Sequence, residues 1–332
     1  MLKNYQYNCT RLGNIKNLEI KEIEKVKLLK NMVLIQVQAI GLNYVDVLMM
    51  KGDYQFKNIA PFVPGIEASG IVIDENCKNK KLVGKKVIIS KKGGCFAELI
   101  QASLNEIIII PKSLDCALAA GSYIPTLTSY ISLHEIIKLK KDQNILITGA
   151  SGGIGVALIR YAKGVGANVT SIVSNKLKGK FVKKVGSDKA IYLDSKELNN
   201  VSQYKKKYKI DIILDINGLI KTKKILSFLS WRGIYMIIGF MNKNFFKIST
   251  NIILIKGLKV YGIRAGEYFR NSNKKNTILK SIIEIIKKDN IKSKHYNLVS
   301  FKDLPRYLCK LENRTSLGKN IVITKYYKES KK

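Results

Sequence analysis

Apolar and polar positions along the chain follow two rhythms. Up to Pro111 the apolar residues come in short runs broken by glycines and polar turns: Lys16 to Ile20, Met32 to Ala39, Gly70 to Ile73, Lys86 to Ile89, Ala97 to Ile100 and Glu106 to Ile110. Short runs between turn signals predict the strands of a small barrel-like or sandwich domain. Beyond Pro111 the spacing lengthens. Asp115 to Ala120 and Leu127 to Leu139 read as helices. Strands then alternate with helices, at Ile145 to Ile147, Val169 to Val173, Ala190 to Leu193, Asp211 to Leu214, Ile234 to Ile238 and Leu258 to Tyr261. That alternation predicts a doubly wound parallel sheet, because each crossover between parallel strands needs a helix that covers a sheet face. An amphipathic helix over Thr277 to Lys288 and a strand over Asn320 to Thr324 close the pattern. The fold class is α/β with a β-rich portion, and 332 residues exceed one typical core, so two domains are expected.

The most informative stretch runs from Asn144 to Gly155. Ile145, Leu146 and Ile147 are apolar at every position, as in a parallel strand buried on both faces. Gly149, Gly152 and Gly155 follow as Gly-x-x-Gly-x-x-Gly, and Val156 to Lys163 continues at helical spacing. In this variant of the dinucleotide fingerprint one glycine lets the chain reverse. Another leaves no Cβ in the way of a pyrophosphate, and the third lets the helix pack close to the strand. The helix N-terminus turns its N–H groups and partial positive charge toward the phosphates. The next strand ends in Val173-Ser-Asn-Lys-Leu-Lys178. An NAD-selective site places a carboxylate there, about 20 residues past the glycines, to accept from the ribose 2′-OH. Hydroxyl, amide and ammonium groups stand there instead, which suits a 2′-phosphate, so NADPH is the expected cofactor.

Charge changes this picture less than its size suggests. The net +35 comes from 59 basic and 24 acidic residues, but only seven of the basic ones are arginine, the better bidentate reader of phosphates and base edges. The lysines are also spread over every segment. Nonspecific adhesion to polyanions at low salt is expected, and selective nucleic-acid binding is not. Cys9, Cys77, Cys95, Cys116 and Cys309 are far apart, odd in number and form no Cys-x-x-Cys pair. Reduced, buried thiols are therefore expected rather than a disulfide framework or zinc knuckle. No apolar run approaches the ~20 residues of a membrane span. Met1 to Asn17 lacks the apolar core of a secretory signal, and a cytoplasmic protein is expected.

Further motifs follow in a fixed order: Gly41-Leu-Asn-Tyr-Val-Asp46, Gly52-Asp-Tyr54, Pro61-Phe-Val-Pro-Gly-Ile-Glu-Ala-Ser-Gly70, Pro125-Thr-Leu-Thr-Ser-Tyr130, Asp215-Ile-Asn-Gly218, Gly233 to Gly239 and Arg314-Thr-Ser-Leu-Gly-Lys319. With them the chain, from Met1 to Thr324, resembles the zinc-free quinone oxidoreductase (zeta-crystallin-like) branch of the medium-chain dehydrogenase/reductase superfamily. The resemblance implies a GroES-like catalytic domain from residues 1–122 and 265–332, a central Rossmann domain at 123–264, an active site in the cleft between them, and a homodimer. It also implies the absence of catalytic zinc. Zinc-dependent alcohol dehydrogenases carry a cysteine in the first motif and a histidine before the glutamate of the second, where this chain has Asn43 and Gly65. The two histidines, His134 and His295, lack a spaced partner.

The resemblance also implies residue roles. Asn43 and Tyr54 are the catalytic candidates, with the Asn43 amide or the Tyr54 hydroxyl polarising the acceptor's oxygen. Cofactor contacts fall to Tyr44, Asp46, Tyr130, Gly149, Gly152, Gly153, Ile154, Gly155, Ser174, Asn175, Lys178, Asn217, Gly239, Phe240, Ile263, Arg264 and Arg314. Two positions depart from the family pattern: Tyr192 stands one residue from where the family carries a ring, and Asp215-Ile-Asn-Gly218 replaces Asp-Ser-Val-Gly. The activity implied is NADPH-dependent reduction of quinones or related α,β-unsaturated carbonyls. An enone, alkenal or enoyl-thioester reductase is the near alternative, and a catalytically silent NADPH- or RNA-binding protein the distant one.

Overall fold

The computed structural model describes residues 3–23, 28–76, 81–193, 209–218, 222–240 and 247–329; Cys77 lies outside them. Two compact units are present, one of residues up to Tyr123 and from Ile283 onward, the other Ile124–Ile282.

In the first unit β1 (Asn4–Cys9) and β2 (Leu18–Ile23) pair antiparallel. Seven more strands form one sheet: β3 (Met32–Gly41), β4 (Glu67–Glu75), β5 (Lys86–Ser90), β6 (Leu99–Ser103), β7 (Ile107–Ile109), β14 (Tyr296–Ser300) and β15 (Lys319–Ile323). Their order is β14-β15-β3-β4-β5-β7, with β6 also on β3. The C-terminal strand β15 thus lies against β3, pairing Ile321 with Gly41, and β3 in turn pairs Ile40 with Ala68 of β4. Helix α1 (Tyr44–Lys51) follows β3 directly. Asn43, Glu67 and Lys319 are therefore brought to one end of three adjacent strands. Val33, Ile35 and Val37 of β3, Val87 and Ile89 of β5, and Val322 of β15 enter one core with Phe96.

The second unit is a six-stranded, wholly parallel sheet of β8 (Asn144–Thr148), β9 (Asn168–Val173), β10 (Lys189–Tyr192), β11 (Ile210–Asp215), β12 (Leu229–Ile237) and β13 (Lys259–Gly262). The order β10-β9-β8-β11-β12-β13 makes β8 and β11 the neighbours at which the winding reverses. Ile145 and Ile147 lie in one core and Leu146 in another, all at most 1% exposed, so β8 is buried on both faces. Helix α3 (Gly153–Val165) starts at the glycine turn and α4 (Lys176–Val185) just past β9.

Two expectations need correction. Asp115 to Ala120 and Leu127 to Leu139 are not separate helices: α2 runs unbroken from Cys116 to Tyr130 with Pro125 inside it, and a π-helical turn follows at Ile131–Ile136. A proline removes one backbone donor and disturbs the carbonyls before it. The Thr128 hydroxyl donates to Ile124 O at 2.9 Å and the Ser129 hydroxyl to Thr126 O at 3.0 Å, and the helix continues through the proline. The second unit also runs on to Ile282, past the expected Rossmann end at Arg264. The Tyr130 hydroxyl donates to Ser281 Oγ and Tyr268 to Glu135, which ties the segment after Arg264 to this unit. No helix among the described residues is long and apolar enough to cross a membrane.

The glycines of α3 separate packing from propensity. A Cβ on Gly155 would lie 2.5 Å from backbone atoms of Ala150, whereas one on the exposed Gly164 would meet nothing within 4 Å. Gly155→Ala should destabilise the fold by about 1–3 kcal/mol through overpacking. Gly164→Ala should stabilise it by about 0.5–1 kcal/mol through helix propensity. Urea unfolding of the two variants checks both signs.

Candidate functional site

At the C-terminal end of β8 the glycines take three different roles. Gly149 has φ +63°, and a Cβ there would stand 2.5 Å from Asn217 Oδ1. Gly152 is the N-cap of α3, and a Cβ on it would meet only Gly149 O, at 3.9 Å, so the space over it is open. Gly155 packs the helix against Ala150. The first bond of the helical ladder is Val156 N–H to Gly152 O, so the amides of Gly153, Ile154 and Gly155 precede it and point out of the helix start. That is the arrangement that receives an anion.

The winding reversal next to this turn is held by Asp215, which has no solvent exposure. Its Oδ1 accepts from the Thr148 hydroxyl at 2.5 Å and from the amides of Asn217 and Gly218, and its Oδ2 accepts from the Tyr235 hydroxyl at 2.6 Å. Asn217 is thereby set against Gly149. Its Oδ1 is buried with no hydrogen-bond partner among the described residues, unlike most buried polar atoms. Gly239 donates to Asp215 O, and Phe240, 41% exposed, follows it. Ile263 donates to Ile237 O, leaving its carbonyl side, and the Arg264 guanidinium reaches Glu267 at 3.5 Å.

At the end of β9, Ser174 is exposed and Asn175 is the N-cap of α4, its side chain accepting from Lys178 N–H at 2.9 Å. The Asn175 carbonyl oxygen is thus engaged by the helix, while its N–H₂ group, the Ser174 hydroxyl and the Lys178 ammonium are the polar chemistry this strand end carries. Tyr192 packs instead on α4, its hydroxyl where a Cβ on Gly179 would fall. Tyr130 is buried, stacked on His134 with ring centroids 4.6 Å apart. An open cavity of about 520 Å³ between His134, Glu135, Lys138, Leu139, Tyr268 and Lys274 contains none of the expected site residues.

The first unit holds a second polar cluster. Lys319, 5% exposed, donates to Asn43 Oδ1 at 2.7 Å and to Glu67 Oε2 at 2.9 Å; Glu67 has no exposure. Asn43 Nδ2 donates to Gly41 O and to Glu67 Oε2, both at 3.0 Å. Asp46, also without exposure, accepts from Asn43 N–H at 2.7 Å and so caps α1, and burial pushes its carboxyl up to about 7. Tyr54 stands apart from this cluster by its contacts: its hydroxyl accepts from Gln55 and its ring lies edge-on to Phe56. Tyr44 begins α1, and Arg314 is exposed at φ +57° before β15. The sequence motifs contain Glu67 and Lys319 but assign neither a role, although a lysine at the start of a strand that runs on into Ile-Val-Ile is a signal in itself.

These donors do not fit zinc. An ammonium already lies between Asn43 and Glu67, and the residue directly before Glu67 is the apolar Ile66, which corrects the expectation of Gly65 at that place. Among the described residues no three His, Cys, Asp or Glu side chains gather as a metal site.

Two family models match: the alcohol dehydrogenase GroES-like domain over residues 30–122 and the zinc-binding dehydrogenase over 153–282. The quinone oxidoreductase-like protein 2 homolog of Nematostella vectensis is 30% identical over 267 residues, 79% of this chain and 73% of that protein. Quinone oxidoreductase of Sus scrofa is 27% identical over 238 residues, 70% and 71% of the two chains. The structure of Escherichia coli quinone oxidoreductase complexed with NADPH superposes with a TM-score of 0.82 at 21% identity, over 96% of this chain and 99% of that one. CurK enoyl reductase gives 0.81 at 19%, over 97% and 99%. A GroES-like sheet joined to a nucleotide-binding sheet of this strand order defines a medium-chain oxidoreductase. The chain belongs to the quinone oxidoreductase branch of the medium-chain dehydrogenase/reductase superfamily.

Asp46 makes stability depend on pH. Its carboxyl titrates near 3.8 when unfolded and near 7 in the fold, so between those values the unfolded chain loses a proton that the folded chain keeps. The contribution is full at acid pH and is lost as pH rises through about 7. Asp46→Asn should therefore match the natural chain near pH 4 and exceed it in stability at pH 8 by about 2–4 kcal/mol, at ~1.4 kcal/mol per pKa unit. Urea unfolding at both values measures the difference, and a gap independent of pH would show that the carboxyl is ionised throughout.

Proposed function

We propose that this chain is an NADPH-dependent, zinc-independent reductase of quinones or related α,β-unsaturated carbonyls. The observation that carries the reading is the buried Asn217 Oδ1, without a partner among the described residues, beside Gly149 of the glycine turn in which Gly152 is open. An orphaned buried acceptor next to a helix N-terminus calls for a ligand that brings both phosphate and a hydrogen-bond donor. The amides of Gly153, Ile154 and Gly155 would receive its pyrophosphate, and Asn217 a hydroxyl or amide. Ser174, Asn175 and Lys178 favour a 2′-phosphate over a bare ribose. The Gly239 and Phe240 backbone, the Ile263 carbonyl and Arg264 would border the nicotinamide end. Bound there, NADPH supplies a hydride.

In the first unit, Asn43, Glu67 and Lys319 form a pre-arranged, largely buried polar cluster with a resident cation, which supports chemistry without zinc. Tyr44, Tyr54, Tyr130 and Arg314 keep in this proposal the roles that the resemblance implies for them. The parent family's quinone activity supports quinones as acceptors, and a homodimer belongs to the same reading.

Purified protein should oxidise NADPH in preference to NADH against a panel of quinones, alkenals, enones and enoyl-CoA, with the rate unchanged by a chelator. Lys178→Glu should weaken NADPH binding at least about tenfold, the loss expected for one charge-assisted hydrogen bond, and leave NADH binding within about twofold. Enoyl-CoA as the best acceptor would transfer the reading to the enoyl-thioester class, and NADPH binding without turnover of any acceptor would leave a binding protein.

A further inference from the structure

The cavity of about 520 Å³ lies wholly within the second unit and is built from two segments of the chain. One is the π-helical turn Ile131–Ile136 with the residues after it, where Lys138 takes φ +50° and Leu139 N–H reaches back to Leu133 O. Such turns interrupt a helix at some cost and are frequent at functional sites. The other is the helix Ala265–Asn271, which brings Tyr268, with Lys274 in the loop behind it.

Lys138 and Lys274 are both exposed, and neither ammonium has a carboxylate partner among the described residues. The carboxylate in the lining, Glu135, is turned to other groups: the Tyr268 hydroxyl donates to its Oε2 at 3.4 Å, and His134 Nε2 lies 3.9 Å from its Oε1. Apart from His134, two ammoniums and one carboxylate leave the lining with one net positive charge. Like charges round one space repel, and a bound anion removes that cost. A single carboxylate balances the lining, whereas a phosphate dianion exceeds it.

Unpaired lysines are common in a chain of this charge, so charge alone selects nothing. The rings do. His134 stacks on Tyr130 with 20° between the planes, which covers one face of the imidazole. Tyr130 is itself fixed, edge-on to Tyr161 and bonded to Ser281. The His134 side chain is still 55% exposed, so its other face or its edge is presented to the cavity. Tyr268 adds a second half-exposed ring and the buried Leu139 an apolar wall. Apolar walls, a few placed polar groups and a volume between about 300 and 1,000 Å³ are the marks of a small-molecule site.

We propose that this cavity binds a small organic anion, a planar ring bearing a carboxylate, at a site separate from the glycine turn. The ring lies against Tyr268 and His134, and the carboxylate is held by Lys138 and Lys274.

The test is a fluorescence titration with 2-naphthoate, set beside 2-naphthamide, which keeps the ring without the charge, and acetate, which keeps the charge without the ring. The natural chain should bind the naphthoate at one site and the amide at least about tenfold more weakly, with no measurable acetate binding. Lys138→Gln/Lys274→Gln and Tyr268→Ala should each lose at least about fivefold in naphthoate affinity while melting within a few degrees of the natural chain. Lys183→Gln/Lys184→Gln removes two exposed charges at the end of α4 and should stay within about twofold. Equal affinity for acid and amide would overturn the proposal, as would full affinity in Tyr268→Ala. Equal losses in the two lysine pairs would reduce the binding to a nonspecific lysine coat, and competitive displacement by NADPH would move the probe to the glycine turn; either sinks the site. No turnover is needed, so failure here leaves the reductase reading untouched.

Discussion

A carboxylate with no access to water is tolerated only where donors replace its hydration, and Asp215 is surrounded by four of them. Those donors come from the ends of β8 and β12 and from the loop after β11, so one side chain locks three neighbouring strand ends and the residue that faces Gly149. The nucleotide unit depends on that lock. Without it the strands could still pair, but the loop bearing Asn217 and Gly218 would have no fixed position over the glycine turn. The open space above Gly152 would then be a gap rather than a cradle.

The first unit handles buried charge differently. Glu67 and Lys319 start two strands that flank β3, and the chain between them covers most of the sequence, so their meeting is a product of sheet order rather than of local structure. Gly41 marks the tightness of the arrangement: a Cβ there would lie 2.6 Å from Glu67 Oε2. Where Asp215 holds backbone in place, the Lys319–Glu67 pair holds a side-chain amide in place, and Asn43 receives a fixed polarity from it. Asp46 then links the cluster to α1 by capping it, so the helix start and the polar surface are set by the same few residues.

Much of the fold was legible from apolar rhythm alone, because both ladders and the two faces of β8 follow side-chain burial directly. The glycine turn was legible down to the chain reversal at Gly149 and the close packing of Gly155. What escaped had identifiable physical causes. β1, Asn-Tyr-Gln-Tyr-Asn-Cys, alternates polar residues and tyrosines and gives no apolar run, and β14 is half exposed. Pro125 removes one backbone donor from α2 without ending it, so the proline did not mark a boundary. Lys319 was obscured by abundance: in a chain with 59 basic residues, one more lysine carries little information until its burial is known. The direction of the Asn43 amide could not have been read at all, since it is decided by residues distant in sequence.

Gly65 limits what the loop before β4 can become. Its positive φ and the pressure of Phe96 mean that any side chain there needs the loop and the aromatic ring to be rebuilt together. Lys319 and Glu67 likewise cannot be exchanged one at a time without stranding a charge in the interior. The two features make substitutions in this unit interdependent: a change acceptable at one position becomes so only once its neighbour has changed.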